Sequence, residues 1–270
     1  MAGQLIVLPG VTVAASAGVP RINMNAPDTI ASKISTLKHV VSARTLTAVA
    51  GGGVSGRCRV TGALLTPKGA QAASLVLADV AGKIGLGISG AGGGGLALPV
   101  GSLTSSFTMV MAIARAAADI AGGGVINFLS GFSGDDTLYS MLARYYGATS
   151  STTARQNNVA ASTGVVGNAA QVVMPSGAWD VVVVDYDAAS RLISIAVNQA
   201  ALFNSVTMSA PLVPPAGSYV EIGYHVDSNG LRNSKVGDLY AFNDSLLRTD
   251  FGKGQLSALV AAMKTFYAIA

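Results

Sequence analysis

The carboxylate side chains are the first candidates for chemistry in this sequence. Hydrolysis of a glycosidic bond, for example, uses two carboxyl groups in one cleft. The chain contains a single glutamate, Glu221, while Asp185 and Asp187 have the i, i+2 spacing that places two side chains on one face of a strand. Those aspartates match the end of a predicted hairpin rather than a cleft strand. The carboxylates therefore do not predict a hydrolase.

Histidine and cysteine are too few for the common metal and nucleophile sites. A zinc site needs three or four ligands, whereas this chain offers His39, His225 and Cys58 in unrelated contexts. Their spacing suggests neither a Ser-His-Asp nor a Cys-His arrangement. We expect surface or loop roles for the two histidines and a buried, apolar role for the cysteine.

Three glycine-rich runs, at 51–53, 90–95 and 122–124, raise the question of a phosphate-binding loop. Such a loop continues into Lys-Ser/Thr and a helix, and none of the three does. They are better interpreted as turns of a β fold. With no catalytic set in view, the sequence predicts that the chain is not an enzyme.

The composition is apolar and poor in charge. Hydrophobic residues make up 50% of the chain and charged residues 11%, with a net charge of +4 and no basic run, which argues against nucleic-acid binding. Charges such as Asp79 and Arg115 interrupt the apolar windows, so membrane insertion is not expected. An apolar surface of this kind favours burial against other protein chains, for example in a homo-oligomer or an assembled particle.

The N-terminus superficially resembles a secretion signal. Residues 5–8 are apolar and residues 15–17 read Ala-Ser-Ala, but the first basic residue is Arg21 and Pro9 interrupts the short apolar run. We therefore expect no signal peptide.

The pattern along the chain predicts an arm followed by an all-β domain. Residues 1–53 form the arm, with a short helix near Asp28 to His39, and Gly51 to Gly53 mark the boundary with a domain over 54–270. Short strands with turn signals then recur, including 57–66, 74–79, 83–89, 96–100, 107–114, 124–130, 137–146, 155–160, 170–174, 179–186, 191–198, 219–223 and 235–242. A closing helix is predicted from the stripe of Leu256, Leu259, Val260, Met263, Phe266 and Tyr267.

The segment 179–197, "WDVVVVDYDAASRLISIAV", predicts an antiparallel hairpin. Val181 and Val183 share the face of Trp179, and Val182, Val184 and Tyr186 line the other, so two buried faces are expected. The indole is interpreted as an anchor between two sheets, with a platform for sugar stacking as the alternative.

This hairpin resembles the laminin-G and pentraxin-like members of the concanavalin A-like lectin/glucanase superfamily. Other segments follow in that family's order: "LALPVGSLTSSFTMVMAIA" (96–114), "YVEIG" (219–223), "KVGDLYAFNDSLL" (235–247) and the C-terminal helix ending in Tyr267. The likeness covers about residues 60–270. It implies a two-sheet antiparallel jelly roll with a C-terminal helix.

The resemblance also implies one cofactor, since relatives often bind calcium through loop oxygens. Asp135, Asp136, Asp227 and Asn229 are the candidate ligands in this chain. Asp and Asn are also ordinary turn formers, so a purely structural role is the alternative.

Together these features favour a virion structural or adhesive protein of a tailed bacteriophage, either a head decoration or fibre protein or a tail or baseplate component. Residues 1–53 would dock on other virion proteins, and the jelly roll would bind protein or a host surface glycan. The alternatives are a stand-alone carbohydrate-binding lectin module and, third, a glycoside hydrolase.

Overall fold

Short antiparallel strands dominate the computed structural model of the chain. It describes residues 24–90, 92–132, 139–146, 151–156, 170–174, 178–214, 216–224, 226 and 230–270. None of the helices in these residues combines the length and the apolar character that a bilayer crossing demands.

The described elements comprise three α-helices, some short 3-10 turns and the strands. The helices are α1 (Ala26–Ala31), α2 (Ala117–Ala121) and α3 (Asp250–Phe266). The strands are β1 (Leu37–Ser42), β2 (Thr47–Ala48), β3 (Val54–Ser55), β4 (Thr66–Lys68), β5 (Leu75–Val80), β6 (Lys83–Ile88), β7 (Gly94–Ala97), β8 (Phe107–Ala114), β9 (Val125–Phe132), β10 (Tyr139–Tyr146), β11 (Ser151–Gln156), β12 (Ala170–Val173), β13 (Asp180–Asp187), β14 (Leu192–Val197), β15 (Asn204–Thr207), β16 (Tyr219–Tyr224) and β17 (Lys235–Phe242).

The strands form two large antiparallel sheets. Sheet I has the order β15-β14-β13-β8-β17-β6-β5, with β1 also paired to β17, and sheet II has the order β12-β11-β10-β9-β16-β7-β4. Side chains of both sheets, such as Met111 and Val184 from sheet I and Phe128 and Ile222 from sheet II, share one buried cluster. The predicted all-β sandwich is thereby confirmed.

Helices α1 and α3 cover the outer face of sheet I. Leu256, Leu259 and Met263 of α3 lie in one buried cluster with Val110 and Val181 of the sheet, and each such side chain stabilises the fold by about 1.5–3 kcal/mol. Helix α3 begins where the Thr249 side chain accepts a hydrogen bond from the backbone N–H of Gly252. The predicted closing helix and its apolar stripe are confirmed.

Trp179 is a structural anchor, but it joins different layers from those expected. Its ring is 2% exposed and lies in the cluster beneath α3, on the outer face of sheet I. The indole N–H donates to the carbonyl of Val80 at 2.9 Å, and the ring centroid lies 4.7 Å from that of Tyr267. The prediction that the indole joins two sheets was wrong, because both faces of β13 are buried and only one of them faces sheet II.

The described part of the proposed arm contributes to the sandwich. Helix α1 packs beside α3, and β1 pairs with β17 over five Cα partners, Val40 opposite Tyr240 among them. The helix is shorter than the predicted 28–39, since the capping box of Asn25 and Asp28 starts it and the extended strand β1 follows soon after Ser32. Docking through residues 1–53 stays a prediction.

The predicted strand 57–66 was wrong. The segment instead turns tightly, with the N–H of Gly62 bonded to the carbonyl of Cys58 at 2.8 Å and the N–H of Cys58 to that of Ala63 at 2.9 Å. Gly62 has φ of +71°, a left-handed conformation that glycine adopts without strain.

Candidate functional site

The outer face of sheet II carries a set of aromatic and polar side chains. Along β16, Val220 and Ile222 belong to the cluster between the sheets, so the alternation turns Tyr219 and Glu221 outward. A separate buried cluster on this face, Ala97, Phe132, Leu142, Tyr219 and Tyr224, consists only of strand residues in the described part of the chain. By contrast, helices pack on the outer face of sheet I.

Three rings form the centre of this face. Phe132 stacks on Tyr219, with centroids 5.4 Å apart and planes at 17°, and on Tyr224, with centroids 5.9 Å apart and planes at 23°. The ammonium group of Lys68 lies 5.0 Å from the centroid of Tyr219, a cation–π distance. The result is a continuous, buried aromatic cluster with a positive charge at one side.

Glu221 lies beside this aromatic cluster. Its register partners are Ser130 on β9 and Ala97 on β7, and it is fully buried. Its carboxylate reaches over β7, because a Cβ built on Gly95 would collide with Oε1 of Glu221. Gly95 is thus the residue that leaves room for this carboxylate. Ser130 is fixed by donating to the carbonyl of Gly223 at 2.7 Å.

One step further along the sheet, Asn127 and Arg144 face each other across β9 and β10. Ile126 and Phe128 belong to the cluster between the sheets, as do Ala143 and Tyr145, so both polar residues lie on the outer face. The described side chains of this face thus include the Glu221 carboxylate, the Asn127 amide and the cations Lys68 and Arg144 near the rings.

The structure leaves the calcium prediction untested. Asp135, Asp136, Asp227 and Asn229 lie outside the described residues, as does His225. Within the described ranges, no group of three or more His, Cys, Asp or Glu side chains could hold a metal ion.

Cys58 and His39 lie together, which their spacing in the sequence did not indicate. The Sγ atom of Cys58 is 3.5 Å from Nδ1 of His39, and both residues are buried. Burial raises the pKa of the Cys58 thiol, but interactions with His39 and Thr61 outweigh burial and lower the pKa to about 6. The expected buried position of Cys58 is confirmed, whereas the expected surface or loop role of His39 was wrong.

Asp185 and Asp187 have separate structural partners. Asp185 is buried and accepts hydrogen bonds from the hydroxyls of Thr108 and Ser245. Asp187 pairs with Arg248, with the two charged groups 2.6 Å apart. Burial raises the pKa of Asp185 to about 6 despite its hydrogen bonds. Neither residue lies on the outer face of sheet II.

The comparisons with known proteins concern the fold. No family model matches the chain, and no curated protein matches its sequence. Among solved structures, a sialidase of Trypanosoma rangeli aligns with a TM-score of 0.55 at 16% identity, covering 86% of this chain and 33% of that one. Domain 4 of a GH43 extracellular arabinanase of Geobacillus stearothermophilus, solved with arabinotriose, aligns with a TM-score of 0.51 at 12% identity, covering 83% of this chain and 98% of that one.

The shared feature is the β-sandwich. These matches are consistent with the concanavalin A-like fold that the sequence motifs resemble. The chain spans about a third of the sialidase chain, so the activity of that whole protein does not transfer with the fold.

The comparisons correct one prediction. We expected that the chain is not an enzyme, because no catalytic set was in view. That prediction was wrong, because chains of a sialidase and of an arabinanase share the fold. The fold itself therefore does not exclude catalysis.

The aromatic face is the part of the candidate site that the sequence analysis missed. Glu221 was noticed only as an isolated glutamate, while Phe132, Tyr219, Tyr224 and Asn127 were not singled out. One signal was present in "YVEIGY" (219–224), where Tyr219 and Glu221 alternate with two aliphatic residues.

Proposed function

We propose that the chain is a carbohydrate-binding domain whose ligand lies against the outer face of sheet II. The observation that carries the proposal is the stack of Phe132, Tyr219 and Tyr224 next to the buried carboxylate of Glu221. Rings of this kind contact the apolar face of a sugar, while carboxylates and amides bond its hydroxyl groups. Such a combination of rings and polar groups suits a glycan better than an apolar ligand or a nucleic acid.

The comparisons support this proposal. The arabinanase domain, which this fold covers almost completely, was solved with a bound oligosaccharide. Carbohydrate binding was an alternative in the sequence analysis, and it becomes the main proposal here.

A glycan array followed by titration calorimetry tests the proposal. We expect the purified chain to retain at least one glycan class, and Tyr219→Leu to weaken that binding about tenfold, since a ring contact contributes about 0.5–1.5 kcal/mol. Phe251→Leu is the matched control, because Phe251 is 77% exposed on α3, on the opposite side of the sandwich. An array without retained glycans, or equal affinity in Tyr219→Leu, would refute the proposal.

Glycoside cleavage is a second candidate, favoured by the burial of Glu221 among aromatic residues. Canonical glycosidases use two carboxyl groups, and within the described residues this face presents the Glu221 carboxylate alone. Release of reducing sugar by the wild-type chain, abolished in Glu221→Gln, would establish the activity. Binding without release of sugar would contradict cleavage and would leave carbohydrate binding as the proposed function.

The biological setting of this domain stays a proposal as well. We propose a tailed-bacteriophage virion, in which residues 1–53 dock on other virion proteins and the chain self-associates. Contacts of this kind would cover exposed apolar side chains such as Val100 and Val213. Mass spectrometry should then find the chain in purified particles. Its recovery only from the particle-free fraction would contradict this setting.

A further inference from the structure

Asn127 occupies an unusual position on the outer face of sheet II. It is fully buried, its backbone N–H donates to the carbonyl of Gly230 at 2.9 Å, and its neighbours along β9, Ile126 and Phe128, point between the sheets. The strand therefore fixes its side chain on the same face as Glu221 and the aromatic rings.

The amide group of Asn127 has no hydrogen-bond partner among the described residues. Within the described part of the chain, neither Nδ2 nor Oδ1 is bonded, although both atoms are buried. Buried amides that contribute to folding are normally bonded, because an unsatisfied donor or acceptor costs free energy. Asn198 shows the usual case, since its amide donates to Asp180 and accepts from the N–H of Val181 at 2.8 and 2.7 Å.

The backbone near this amide includes glycine residues. Strand β16 pairs with β9 up to Ile222 and Leu129 and continues with Gly223, which has no side chain. A Cβ at Gly223 would lie 2.8 Å from the carbonyl oxygen of Gly94, and its φ is +91°, so glycine is the residue that fits. The residue that accepts the backbone N–H of Asn127, Gly230, likewise has no side chain, and Arg144 is the register partner of Asn127 on β10.

We propose that the Asn127 amide is a specificity-determining subsite that binds two adjacent hydroxyl groups of a neutral sugar. An amide offers a donor and an acceptor on one planar group, and a vicinal diol offers the complementary pair. A carboxylate or phosphate would use only the donor. The inference rests on the proposed function, because it concerns a glycan on the same face.

Asn127→Leu tests the subsite, because leucine has a similar volume and no polar atoms. We expect glycan affinity to fall about tenfold while the melting temperature stays equal or rises, since an unbonded amide is removed. A purely structural amide would give the opposite pattern, a lower melting temperature with affinity retained. That pattern is expected for the control Asn198→Leu, which loses two bonds and has a φ of +57° that disfavours leucine.

Deoxy sugars separate this inference from the proposed function. For a glycan that the wild-type chain retains, removing either hydroxyl of the bound diol should weaken wild-type binding and leave Asn127→Leu binding unchanged. If a glycan binds but Asn127→Leu binds it equally well, the subsite is refuted and the proposed function stands. If the wild-type chain binds no glycan, the proposed function is refuted and the subsite with it.

Discussion

The rings of Trp179 and Tyr267 lie 4.7 Å apart, and this contact joins β13 to the end of α3. The hydroxyl of Tyr267 also accepts a hydrogen bond from the backbone N–H of Asp238 at 2.8 Å. One side chain at the helix terminus therefore contacts two strands of sheet I. The Tyr267 hydroxyl takes the place of a backbone carbonyl as the acceptor for this N–H of β17.

Tyr267→Phe should lower the free energy of unfolding by about 1–3 kcal/mol, because the N–H of Asp238 is left buried without its acceptor. The expected fall in melting temperature is about 3–8 °C, measured by calorimetry. Thr265→Val, which removes an exposed hydroxyl from the same helix, should change stability by less than about 0.5 kcal/mol. An equal effect of both variants would contradict the role assigned to Tyr267.

Asp185 should make stability depend on pH. Burial raises its folded-state pKa to about 6, above the value near 3.9 of an unfolded aspartate, so the folded state holds the proton more tightly. The contribution of Asp185 to stability is therefore fully present below pH 4 and is lost as the pH rises to about 6. Its size is on the order of 3 kcal/mol.

Asp185→Asn, which cannot titrate, isolates this effect. Urea unfolding at several pH values should show wild-type stability falling relative to the variant between pH 4 and 6. The lowered pKa values of Asp28 and Asp187 make stability rise with pH instead. Both chains contain these two groups, so their effect cancels when the stability of the variant is subtracted from that of the wild type. A constant difference across this range would contradict the prediction.

Gly95→Ala should displace the carboxylate of Glu221, since the added methyl group collides with Oε1. We expect a cost of about 1–3 kcal/mol in stability and a loss of glycan affinity. The double variant with Glu221→Ala should recover part of the stability, because the colliding group is gone.

Gly254→Ala is the control for this pair. Gly254 lies in α3, and outside the backbone of its own helix no atom lies within 4 Å of an added Cβ. Alanine should therefore stabilise the helix by about 0.5–1 kcal/mol. If Gly95→Ala retained the glycan affinity of the wild type, the position of the Glu221 carboxylate would not determine binding.

The thiol of Cys58 should titrate near pH 6 in the folded chain. Ultraviolet absorbance of the thiolate, followed against pH, measures this directly in a chain with a single cysteine. In His39→Gln the pKa should move towards the ordinary value near 8.5, because the imidazole no longer stabilises the thiolate. A wild-type titration above pH 8 would show that burial dominates.

Glycan association should be slow. Asn127 and Glu221 are fully buried in the unliganded chain, so a sugar reaches them only after the groups that contact them have moved. The association rate constant should fall below about 10⁵ M⁻¹s⁻¹, as for other binding events that need a conformational change. Stopped-flow fluorescence can measure it, and a rate near the diffusion limit would place the ligand elsewhere.

Local patterns predicted much of the fold. The alternation in 107–114, the hairpin of β13 and β14 and the apolar stripe of α3 depend on near neighbours in the sequence, and the structure confirms all three. The partner of Trp179 could not be predicted in this way, since apolar residues on both faces of β13 do not indicate which face meets a helix. That assignment depends on where α3 packs.

The candidate site depends on irregularities that alternation does not show. Phe128 is an extra residue in β9, because Ala143 pairs with Leu129 and the next residue, Arg144, with Asn127. Gly223 likewise has a left-handed φ that changes the direction of Tyr224. A strict period of two would have placed Tyr224 between the sheets. Neighbours on different strands, such as Glu221 and Gly95, become visible only in three dimensions.

The pairing of β1 with β17 has a consequence for biosynthesis. Val40 meets Tyr240 only after β17 has left the ribosome, so sheet I cannot close while most of the chain is still being translated. During that interval β1 has an unpaired edge that can recruit other nascent copies. Slow maturation and a need for chaperones during overexpression are the expected result.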